Sequence, residues 1–150
     1  MKALKLSMVI IAATMLASCE VEDNETLVSD ETSSASHNTG KNCMTCHQKG
    51  GEGEGQFTIA GTVYNAAVTE GTVGAVIKLT TGARGAGTVL ATVVSDQFGN
   101  FYTTKSVDYS SGVYVSMTGK SGTSKHMFAK ITTGECNACH GVSGSKLSIE

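Results

Sequence analysis

The chain is 150 residues long with a formal net charge of −2, enough for one compact domain and too short for two large ones. It has no Pro, no Trp and 18 Gly, a composition of many turns and short strands. Its 11 basic residues do not exceed its 13 acidic ones, which argues against a nucleic-acid partner, and 40% hydrophobic content argues against wholesale disorder.

Residues 1–18 read as an export signal. Lys2 and Lys5 give a positive start, and Leu6 to Ala17 is an apolar run too short for a spanning helix, which needs about 20 residues. Leu16-Ala17-Ser18-Cys19 resembles the lipobox of bacterial lipoproteins, which implies acylation of Cys19 and anchoring to a membrane surface without spanning it. A plain secretory signal, with Cys19 incidental, is the alternative, and either reading exports the chain. Residues 19–36 follow as an expected tether. Glu20, Glu22, Asp23, Glu25, Asp30 and Glu31 occur there without a base before residue 37, among Ser and Thr and without an aromatic.

Residues 37–56 contain Cys43-Met44-Thr45-Cys46-His47, and residues 120–150 contain Cys136-Asn137-Ala138-Cys139-His140. Both are C-x-x-C-H, the attachment motif of c-type haem. Two thiols separated by two residues each form a thioether to one porphyrin edge, and the next residue places an imidazole under the iron. The spacing therefore predicts two haem c groups, with Cys43, Cys46, Cys136 and Cys139 as anchors and His47 and His140 as proximal ligands. A zinc ribbon would bring its Cys pairs within about 15–20 residues, whereas 89 residues (47 to 135) lie between these. A redox dithiol or a disulfide does not explain why His follows both pairs. Of four His, two then remain, His37 and His126, and they are the candidate distal ligands of two bis-His irons. Met44, Met117 or Met127 could supply a thioether instead. Which distal residue serves which iron stays open, a crossed arrangement or a neighbouring molecule included. Gly50 to Gly55, with Glu52 and Glu54 between glycines, reads as a connector or as backbone able to approach a haem face closely.

Between the motifs, 57–119 shows no helical period. Phe57, Ile59 and Val63 alternate onto one face, as do Ala75, Ile77 and Leu79, and Thr88 to Ser95 is a Val-rich run expected to be buried on both faces. Asn100 to Val107 and Val113 to Thr118 complete the set, with Gly-rich breaks between. The prediction is a mainly β chain: a small antiparallel β-sandwich of about five to seven strands, flanked by N- and C-terminal haem segments of loop and short helix. Ile59-Ala60-Gly61-Thr62-Val63, Gly74 to Leu79, Ser95 to Phe101 and Gly112 to Ser116 resemble the carboxypeptidase-regulatory or transthyretin-like sandwich domains over about 60 residues. That resemblance implies a scaffold and no catalysis. The whole resembles a dihaem c-type cytochrome lipoprotein. It implies an electron relay, not an enzyme, working in the periplasm or at the cell surface with redox proteins, other multihaem cytochromes among them, as partners. Self-association into a conducting filament is the first alternative, and a peroxidase or haem-based sensor with one five-coordinate iron the second.

Overall fold

A computed structural model describes residues 24–150. The export signal, Cys19 and the first part of the tether lie outside the described residues. The described residues are mainly β, with seven strands in two sheets. β1 (Ile59–Tyr64), β4 (Asn100–Thr103) and β7 (Leu147–Ser148) form a three-stranded sheet in the order β4-β1-β7. β2 (Val76–Thr80), β3 (Val89–Val94), β5 (Tyr114–Thr118) and β6 (Ser124–His126) form the second, in the order β3-β2-β5-β6. Ile59, Val63 and Phe101 face Ile77, Leu79, Val93 and Met117 across the sandwich, and Ile149 closes the core beyond β7. Pairing is antiparallel throughout except between β1 and β7. A C-terminal tail that returns to β1 from the second motif reaches it running in the same direction.

Two expectations change. The Val-rich run is not buried on both faces: Val89 is 50% exposed and Leu90 is 36%, because β3 is the outer strand of its sheet and only its later half, around Val93, meets the core. Residues 24–33 do not stand away from the domain. Val28 pairs with Thr103, the backbone of Ser29 donates to Tyr102, and the Ser29 hydroxyl donates to the Val94 carbonyl at 2.7 Å. The segment thus runs along β4 and reaches β3, an extra rung on an otherwise free sheet edge.

β1 places everything that follows. All six of its residues are buried. The first half of its free edge takes residues 134–135, with Ala60 opposite Glu135 and its N–H donating to the Gly134 carbonyl. Its second half takes β7. The second C-x-x-C-H motif is therefore an excursion between two stretches paired to one strand. The first motif lies in the loop that enters β1, and Phe57 N–H donates to the His47 carbonyl.

Candidate haem-binding sites

The two motifs fold alike. Cys43–Thr45 forms a 3-10 turn capped by the Asn42 side chain, and Cys136–Cys139 forms a one-turn helix, α1. In each, the His N–H donates back to the first Cys carbonyl, at 3.0 Å for His47 and 2.8 Å for His140. One helical turn brings both thiols to one side and delivers the His beside them. Cys43 and Cys136 are half-buried while Cys46 and Cys139 are exposed, and none forms a disulfide. Burial raises the Cys43 thiol above its ordinary range, with a smaller push from Asp96, and burial pushes Cys136 up to about 12. Those upward shifts at Cys43 and Cys136 run opposite to the lowered thiol pKa of a redox dithiol. Among the described residues no three His, Cys, Asp or Glu side chains gather as a metal cluster, so the four thiols do not converge as a zinc site would require. A haem iron draws at most two side chains from the protein.

Both motif imidazoles are oriented by the same device. His47 Nδ1–H donates to the Glu54 carbonyl at 2.7 Å, and His140 Nδ1–H donates to the Ser145 carbonyl at 3.0 Å. A carbonyl only accepts, so Nδ1 carries a proton, and in the neutral ring Nε2 is then the nitrogen with the lone pair, the tautomer a metal-binding histidine needs. At His47 the ring is held further by Phe57, stacked at 4.1 Å between centroids, which in turn stacks on Tyr102 at 4.8 Å. Phe57 thus leaves the alternating core face assigned to it and serves as the platform of this histidine. A Cβ on Gly53 would come within 2.7 Å of His47 Nδ1, so only glycine lets the loop reach back to the ring.

The remaining histidines fall one to each motif. His37 lies with its ring centre 6.0 Å from that of His47. The two rings are tilted by 39°, near enough for both to serve one site. His126 and His140 line one cavity of about 320 Å³, within the roughly 300–1,000 Å³ of cofactor sites. The cavity opens between β6 and β7 and reaches inward to Ile77, Phe101 and Met117, with Cys136 on its wall. Nδ1 of His126 is buried without a hydrogen-bond partner. Met117 and Met127 line the same cavity, and Met44 sits half-buried inside the first motif. The residue types at each motif, two thiols and two imidazoles, are those that could hold a haem c group.

The motifs are also joined to each other. The side chain of Asn137, only 2% exposed, donates to the Lys41 carbonyl at 2.8 Å and to the Thr62 hydroxyl at 3.0 Å, and accepts from the Thr62 N–H at 3.0 Å. Asn42 donates to Glu135 at 3.3 Å. A Cβ on Gly61 would approach Cys136 Cβ to 2.8 Å and the Phe101 ring to 2.6 Å, so this glycine admits the second motif to the strand edge. Sequence reasoning gave Asn137 and Gly61 no role in the site. Asn137 falls at a variable position of the motif, and its partners are 75 and 96 residues away. A scan against protein-family models, a search of curated proteins and a search of solved structures each find no match to the chain.

Proposed function

We propose that this protein is an exported dihaem c-type cytochrome, anchored by lipid at Cys19, that passes single electrons between redox partner proteins in the periplasm or at the cell surface. The observation that carries this reading is the duplicated histidine geometry: two C-x-x-C-H turns, 89 residues apart in the chain, each donating Nδ1–H to a backbone carbonyl and leaving Nε2 as a ligand. A bound haem supplies one-electron exchange at its iron. Cys43 and Cys46 would anchor one group and Cys136 and Cys139 the other. His47 pairs with His37, and His140 with His126, in an uncrossed arrangement. If His37 and His126 join His47 and His140 as ligands, the irons would be left without a free position for substrate, which favours a relay over bond-making chemistry.

The sandwich contributes rigidity. Asn137, Thr62, Asn42 and Glu135 hold the two motifs in fixed relation, and a fixed separation favours transfer between their groups. The anchor contributes position. Asn24 exchanges hydrogen bonds with the Gln56 backbone at 3.0 and 2.7 Å, and five residues of chain back to Cys19 span at most about 17 Å. The glycine loop of the first motif therefore sits close to the lipid. An absorption spectrum of the mature protein, made in a host that attaches haem, tests the reading. Low-spin iron at both sites is expected, and a high-spin fraction in the unaltered protein contradicts bis-His ligation.

A further inference from the structure

The two sites differ in the charge and polarity that surround them. Around the second, the cavity wall is mostly apolar, with Ile77, Phe101, Val115, Met117 and Leu147, and its charged side chains are Lys125 and Lys146, with no acid. Next to the first, touching it through Glu54 but including none of its Cys or His, lies a hollow of about 580 Å³ built from the glycine loop, Gln48, Gln56 and Asn24, whose charged side chains are Glu25 and Glu54, with no base. Lys41 and Lys49 flank the first motif outside that hollow and are exposed, as is Glu52. Glu135 is half-buried between the motifs, where it accepts from Asn42, and is common to both. Taking up one electron removes one positive charge from an iron. Apolar burial and nearby cations favour the reduced state, whereas nearby carboxylates and water favour the oxidised one.

Resting on the dihaem reading above, we infer that the chain is a polarised relay in which the His140 site has the higher reduction potential and the His47 site the lower. The downhill step inside the molecule moves one electron from the His47 site, which is oxidised by one unit, to the His140 site, which is reduced by one. The donor that recharges the first site and the acceptor that drains the second are both one-electron carrier proteins. No proton or ligand needs to move. The last described N-terminal residue, Asn24, borders the low-potential site, so the polarity runs away from the anchored end.

Spectropotentiometric titration of the mature, haem-loaded protein tests this. Two one-electron waves are expected, their equilibrium constants at least tenfold apart, or 59 mV for a one-electron couple. Lys146→Glu alters an exposed side chain beside the second site and should lower the upper wave only. Glu54→Lys leaves the backbone carbonyl that orients His47 in place and should raise the lower wave only. A single unresolved potential, or a Lys146→Glu effect on the lower wave, overturns the polarity while leaving the electron-carrier reading intact. Preparations that bind no haem overturn the underlying reading instead.

Discussion

A hydrogen bond to a carbonyl leaves an imidazole no choice of tautomer, and this chain applies that constraint twice, at His47 and at His140. On the proposed reading His37 and His126 are the second ligands, and their replacement is diagnostic. His126→Ala should convert one iron to high spin, and His37→Ala the other, with covalent haem content unchanged in both. Resonance Raman spin-state markers measure this, and an unchanged spectrum in either variant contradicts that residue's assignment. Asn137 belongs to the same scale. Asn137→Ala strands the buried Thr62 N–H and removes a donor from the Lys41 carbonyl, while the Thr62 hydroxyl keeps Gly40 N–H and Asn100 as partners, and an unsatisfied buried group costs about 1–3 kcal/mol. Denaturant unfolding should show a loss in that range, and an unchanged midpoint would remove Asn137 as the clasp between motifs. His47 and His140 stand out in the sequence because each ends a five-residue C-x-x-C-H spacing. Asn137 and Gly61 do not, because each acts on a partner that only the folded chain brings near.

Among the elements, β1 does the positioning: one edge pairs with β4, and the other takes first residues 134–135 and then β7. The tail after the second motif is thus a structural part of the sandwich, with Ile149 in its core. Ile149→Ala should cost about 2–5 kcal/mol, the range for emptying a buried aliphatic site. Differential scanning calorimetry reads this as a lowered midpoint, and a loss below 1 kcal/mol would mean the tail is dispensable. Strands β1 to β5 were legible because each carries alternating or β-branched residues between glycine breaks. β6 and β7, three and two residues long, are too short to show a period, and they exist through pairing with β5 and β1. The segment 24–33 misled for a related reason. Its acids and hydroxyls describe a solvated coil, yet Val28 and the Ser29 backbone and hydroxyl complete the edge of the sandwich.

At the scale of the whole molecule, two sites distant in sequence become neighbours across one strand, with Lys41 bonded to Asn137 and Asn42 to Glu135. Composition and spacing forecast two haems and a sandwich but left their mutual arrangement open, since topology alone decides that Glu135 lies opposite Ala60. The proximity predicts electronic communication: electron paramagnetic resonance of the fully oxidised protein should show broadening from coupled ferric centres, relieved when the Cys136→Ala, Cys139→Ala variant carries one haem. Two sharp, independent signals would place the centres too far apart for this arrangement. The account stands or falls on covalent porphyrin at both turns. Intact mass spectrometry of the mature protein from a host competent in haem attachment measures that directly. A mass raised by two haems, with the added groups mapped to peptides containing Cys43–His47 and Cys136–His140, is the predicted result. An apoprotein mass, or thiols that stay free to alkylation in that host, would contradict it.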